Sequence, residues 1–208
     1  MGQHTQSGNG LLYDKMCMYK IVDYIESGDF SPLTSAAEEL VRANGDDNRS
    51  QSVMLSTLDF SKVDYITVFF GTNDFGAEDG VPIGNNTDTD GTTFKGAVNK
   101  IIKKLTTSLP NVKLMFITPF YRNRLVSSTD GLNSDENPNG RGLYLQQYVD
   151  AIKETCKRHH IPVLDLMEES GINRYNQAAY LADGLHPTSP TGYEHIARKI
   201  ASGIESRF

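Results

Sequence analysis

The sequence predicts an α/β fold organised around a parallel sheet. Three short apolar runs, at residues 63–70, 112–118 and 162–167, are rich in β-branched and aromatic side chains and are bounded by Gly or Pro. The longer stretches that precede, separate and follow them carry apolar residues at helical spacing. Strand and helix in alternation imply parallel strands, with right-handed crossovers laying helices on both faces. Ligands in such sheets bind beyond the carboxyl ends of the strands.

In chain order, Leu12, Met16, Met18, Ile21, Val22 and Ile25 suit one helix, stopped by Gly28. A second helix is expected over 34–43, opened by a Ser35–Glu38 capping box and closed by Gly45. A polar connector leads to the first strand, 63–70, and a polar loop covers 76–92. Ala97, Ile101, Ile102, Leu105 and Leu109 mark a helix closed by Pro110. The second strand, 112–118, stops at Pro119, and a second polar loop runs over 120–142. Leu145, Val149, Ile152 and Cys156 form a helical stripe, 162–167 the third strand, and Tyr193, Ile196, Ala197, Ile200 and Ile204 the terminal helix. Both long loops leave carboxyl ends of strands; loops of that length are functional or disordered, and pocket-building is the reading favoured here.

At 208 residues the chain fits one domain, or two very small ones, and a single domain spanning 1–208 with a core of its own is the reading taken. A net charge of 20 − 26 = −6 argues against a nucleic-acid partner, which needs a basic stripe. No apolar run approaches the length of a membrane span, and residues 1–10 are polar rather than signal-like. Localisation is left open. Cys17 and Cys156 are too few for a disulfide framework, although one bridge between them stays open.

Two motifs carry chemistry. Gly71-Thr72-Asn73-Asp74 follows the first strand directly and presents the Asn73 amide, a donor suited to a developing oxyanion. The same residues also suit a plain turn. Asp183-Gly184-Leu185-His186-Pro187 places a carboxylate three residues before an imidazole, which it can hold by Nδ1 so that Nε2 serves as a base. Here too a helix-entry turn is an alternative reading.

Together the two motifs resemble the SGNH (GDSL-type) hydrolase family. Phe116-Ile117-Thr118-Pro119 and the Pro-Thr-x-x-Gly-Tyr string after His186 share the likeness, which covers about residues 60–208. The resemblance implies a three-layer α/β/α, flavodoxin-like parallel sheet and hydrolysis of ester bonds through a Ser-His-Asp set. It implies His186 as base and acid, Asp183 as its orienter and Asn73 as an oxyanion donor. Thr72, Asp74, Phe75, Tyr121 and Arg122 are candidate pocket residues; Tyr121, Arg122 and Arg124 could line a substrate site, an Arg meeting an acidic group, and suit a plain surface loop equally well. The implied partner is a small ester or an acylated carbohydrate, with no cofactor and no metal.

The family's nucleophile sits in a Gly-Asp-Ser, and this chain has none; Gly28-Asp29 runs into Phe30 and Gly45-Asp46 into Asp47. Nor is there a Gly-x-Ser-x-Gly elbow. Ser7 follows no strand and is a poor substitute. By resemblance the chain lacks the N-terminal strands that carry the nucleophile Ser and the oxyanion Gly, so it is expected to be inactive alone. The bared edge of the 63–70 strand is expected to favour oligomers, aggregation or low stability. A non-catalytic binding or structural module derived from such a hydrolase is the alternative function.

Two further patterns have bland readings. The acidic string from Asn86 to Gly91 starts like a calcium loop, but Ala97 stands where the closing Glu belongs. His159 and His160 follow Lys157 and Arg158 at a helix end, where cations suit the dipole.

Overall fold

The structure is a computed structural model describing residues 10–45, 49–76, 79–124 and 133–208. Its elements are α1 (Gly10–Lys15), α2 (Met18–Ser27), α3 (Ser31–Asn44), α4 (Arg49–Ser56), β1 (Tyr65–Phe69), α5 (Thr72–Gly76) and α6 (Phe94–Ser108). Then come β2 (Lys113–Ile117), α7 (Leu145–Arg158), β3 (Val163–Leu164), α8 (Leu166–Glu169), α9 (Gln177–Tyr180) and α10 (Thr191–Arg207). The sheet order is β1-β2-β3, and β3 runs parallel to β2 with Phe116 opposite Val163 and Ile117 opposite Leu164. This is the α/β architecture expected. The chain forms two compact units, Met1–Ile66 with Gly84–Val112, and Thr67–Ile83 with Lys113–Phe208.

In the first unit the single N-terminal helix of the sequence reading is two helices. Cys17 is extended, with φ −70° and ψ 145°, and breaks the run. Gly28 does end α2, in the left-handed region at φ 71°, its N–H reaching Tyr24 O at 2.8 Å. α3 starts three residues earlier than expected. Asp29 accepts the Ser31 N–H, Pro32 fills the first turn, and Ser35 and Glu38 lie inside the helix. α4 falls where a plain connector was expected. α2 packs on α6, and Lys100 pairs with Asp23 at 2.6 Å along that seam. The acidic string closes on itself. Asp88 Oδ2 accepts the Asn85 N–H and the Thr93 hydroxyl, and the Asn99 amide caps the carbonyls of Asn86 and Asp88.

In the second unit Met115, Ile117 and Leu164 pack with Leu166 and Ile196, and α10 adds Ile200 and Ile204. Gly203 allows that approach, since a Cβ there would stand 2.8 Å from Leu164 Cδ2. α7 buries Leu145, Tyr148, Val149, Ile152 and Cys156. The third strand is shorter than its apolar run suggests. Asp165 caps α8 by accepting the Met167 N–H, so the chain turns after Leu164. Asp165 also accepts the Thr118 hydroxyl at 3.0 Å and pairs with Lys153 at 2.5 Å. No disulfide joins Cys17 to Cys156, and burial pushes Cys156 up to about 12.

Candidate active site

All of the candidate site residues lie in the second unit. The chain leaves β1 through Phe70 and turns at Gly71, whose φ of 113° is one that side chains rarely tolerate. Gly71 O accepts the Phe75 N–H at 3.1 Å and so starts α5. That turn exposes Asn73 and buries its neighbours Asp74 and Phe75. The Asn73 amide makes no hydrogen bond among the described residues, which leaves both of its donors available.

The second motif is a tight loop. Ala182 N–H donates to His186 O at 2.8 Å, and buried Leu181 and Leu185 anchor the two sides. Gly184 at φ 79° allows the reversal. Asp183 Oδ1 accepts the main-chain N–H groups of Leu185 and His186 at 3.0 and 2.8 Å, while Oδ2 lies 2.7 Å from His186 Nδ1. Burial alone would raise the Asp183 carboxyl; the N–H and ring of His186 and the Leu185 N–H outweigh it and hold it at about 2. A carboxylate on Nδ1 fixes the tautomer in which Nε2 is the free acceptor.

Asn73 and His186 line the same cavity, of about 490 Å³. Its other walls are mainly apolar, from Phe69, Phe70, Phe120, Tyr193, Ile196 and Ile200. Thr72 also lines it, but its hydroxyl accepts from Arg122 Nη1 at 3.1 Å. No Ser or Cys stands among these lining residues. Ser7 lies outside the described residues, as do Asp46 and Asp47.

Tyr121 and Arg122, expected in a substrate pocket, lie behind it instead. Tyr121 joins the apolar cluster under α10 and donates its hydroxyl to Asn133, and burial pushes the phenol up to about 12. Arg122 is 2% exposed. Its fork serves the carbonyls of Thr72, Asn123 and Arg124, with Phe75 beneath the guanidinium. Burial, reinforced by the neighbouring Arg124, lowers it to about 10, and the Asp183 charge opposes that. Asp74 and Phe75 likewise support the turn from inside the fold rather than lining the cavity. Asn123, Arg124 and Asn139 are buried polar residues of this support that the sequence reading did not weigh as such. The signal open to it was the polar string Tyr-Arg-Asn-Arg placed directly after a buried strand. Among the described residues no cluster of His, Cys, Asp and Glu is arranged to hold a metal, and no helix is long and apolar enough to cross a membrane.

This chain is an α/β protein in which His186, held by Asp183, and the Asn73 amide line one cavity. It belongs to the GDSL-like lipase/acylhydrolase family, whose model matches residues 20–195. No curated protein matches it. A solved protein from Lactobacillus plantarum is 32% identical over 80% of this chain and 76% of its own, with a TM-score of 0.63. A possible lipase from Chitinophaga pinensis is 22% identical, covering 76% of this chain and 77% of its own, TM-score 0.54. A lipase/acylhydrolase from Enterococcus faecalis is 21% identical, covering 90% and 85%, TM-score 0.51. These last two show likeness of fold.

Proposed function

We propose that this chain carries the acid-base half of a serine ester hydrolase, and that the nucleophilic serine comes from a segment outside these 208 residues. The observation that carries the reading is the His186–Asp183 pair at 2.7 Å, sharing one cavity with the unbonded amide of Asn73. In the full reaction a serine hydroxyl adds to the ester carbonyl while His186 Nε2 takes its proton. Asn73 donates to the resulting oxyanion. Collapse expels the alkoxide, which receives the proton from His186, and water then repeats the cycle on the acyl-enzyme.

The sheet supports the same reading. Parallel strands are ordinarily covered on both faces. β1 ends the sheet order, yet Phe69 and Phe70 are 37% and 40% exposed. An added strand along that edge would cover them and deliver a serine to the cavity mouth. The same open edge would pair copies of the chain when no such strand is present. The substrate class we infer is a small ester or an acylated carbohydrate.

The test is hydrolysis of 4-nitrophenyl acetate by the purified chain. The expected rate is background, because loss of a triad nucleophile costs on the order of 10⁶ in turnover. Turnover near ~1 s⁻¹ that survives Ser7→Ala and disappears with His186→Ala would overturn the missing-nucleophile reading. Background rates together with tight binding of intact esters at the cavity would favour the binding-module alternative.

A further inference from the structure

Two consecutive residues reach the two catalytic turns from behind. Arg122 Nη1 donates to Thr72 O and to Thr72 Oγ1, both at 3.1 Å, and so grips the residue before Asn73. The next residue, Asn123, donates its main-chain N–H to Gly184 O at 2.7 Å, inside the loop that joins Asp183 to His186. Both contacts are close-fitted. A Cβ at Gly76 would stand 2.8 Å from Arg122 Nη1, and one at Gly184 would stand 2.3 Å from Asn123 Nδ2.

We propose that Arg122 and Asn123 form a brace that sets the separation between the Asn73 amide and His186, making both of them positioning residues for the ester hydrolysis proposed above. The reasoning is geometric. Adjacent Cα atoms are about 3.8 Å apart across a trans peptide, a distance that does not stretch. An element that grips one turn through a side chain and the other through the next main-chain N–H therefore fixes their spacing.

The chemistry of the grip fits that role. A buried guanidinium is costly unless its donors are used. Arg122 makes no ion pair with a carboxylate among the described residues. It spends Nε on Asn123 O at 2.7 Å, Nη2 on Arg124 O at 3.3 Å and Nη1 on Thr72. Lysine offers three donors on one atom and cannot span these acceptors as a planar fork does. Oxyanion donors and bases work only when held in place beforehand, and misplacement of about 1 Å can cost on the order of 100-fold in rate.

The brace rests on the proposed function for its purpose but can be tested separately. The intact chain would be compared with Arg122→Met, Arg122→Lys, Asn123→Ala and, as a control away from both turns, Arg207→Met, whose guanidinium serves Val163 O and Glu169. Amide hydrogen exchange is read at Phe75, Leu185 and His186 against core amides of β2, together with the Asn73 side-chain and His186 ring signals during titration with sodium acetate.

Arg122→Met should speed exchange at Phe75 by about 10-fold or more relative to the core. Asn123→Ala keeps the N–H on Gly184 O but removes the side chain packed against Gly184, and should speed exchange at Leu185 and His186 by a smaller factor. Acetate affinity should fall about 5-fold or more in Arg122→Met, recover in part in Arg122→Lys and stay unchanged in Arg207→Met. Exchange that rises equally in turns and core, or acetate binding that falls equally in Arg207→Met, would overturn the brace. If Arg122→Met does not fold, Arg122→Lys and Asn123→Ala decide. Wild-type chain that shows no acetate response at Asn73 or His186 would count against the ester reading, while the exchange pattern would still judge the brace.

Discussion

Two polar loops that look alike in sequence are built on opposite principles. Residues 84–93 satisfy themselves near the surface, Asp88 and Asp90 taking local N–H and hydroxyl donors. Residues 121–124 with 133–142 instead turn inward. Arg122, Asn123, Arg124 and Asn139 are all under 8% exposed. Their donors go to distant main chain: Arg124 to Gly76 O and Pro138 O, Arg141 to Gly80 O, and Asn139 to Phe75 O. One loop is closed upon itself; the other is the scaffold on which the Asn73 turn rests. Polarity in a sequence therefore does not mark a surface. A polar segment is buried when the fold offers it carbonyls that nothing else can reach.

The comparison is broken most directly by deleting one anchor from each loop. Arg122→Met removes partners from three carbonyls and a hydroxyl in a water-poor region. A loss of about 3 kcal/mol or more in urea unfolding is expected. Asp88→Ala removes two bonds that water can replace, and about 1 kcal/mol is expected. Similar losses at the two sites would show that the inward loop is no more structural than the outward one.

A second contrast lies between two glycines of the same backbone class. Gly184 and Gly142 have φ of 79° and 74°. Alanine at either carries the left-handed penalty of about 1 kcal/mol. Only at Gly184 does the new methyl also meet the Asn123 side chain, at 2.3 Å, whereas nothing lies within 4 Å of it at Gly142. Gly184→Ala should therefore cost about 2–3 kcal/mol. Thermal melts that rank the two equally would remove Asn123 from its place against the His186 loop.

These contrasts also explain what the sequence could and could not reveal. α6, α7 and α10 were legible because their apolar residues recur every three or four positions and bury one face. Gly28 and Gly45 were legible as stops because left-handed caps need glycine. α4 was missed because Arg-Ser-Gln-Ser-Val-Met-Leu-Ser reads as polar; even folded it leaves Val53 and Met54 exposed. Asp165 ends β3 through a cap that an apolar run from 162 to 167 conceals. Of the site, Asn73, Asp183 and His186 could be singled out because their chemistry depends on close neighbours in the chain. Arg122 was visible as a candidate, but its burial depends on Thr72, fifty positions away, and no local pattern encodes that.

The smallest expected effect concerns charge in the loop that joins Asp183 to His186. Asp183 is held at about 2 when folded, against about 3.9 for an aspartate in an unfolded chain. A depressed carboxyl stabilises the fold above the unfolded value and loses that contribution as pH falls toward the folded value. Asp183→Asn should therefore lower Tm at pH 5 to 6, with a gap that narrows between pH about 4 and about 2. The side chain is a third exposed, so screening keeps the effect to at most about 1 kcal/mol. In the surface loop, Asp90 is also lowered, through the Thr92 hydroxyl and N–H, but it lies almost wholly in solvent. Asp90→Asn should show the same pH direction with a smaller amplitude. If the Asp183→Asn gap stays constant from pH 6 to 2, the aspartate is holding the loop by shape alone, and His186 has no ionised partner on Nδ1.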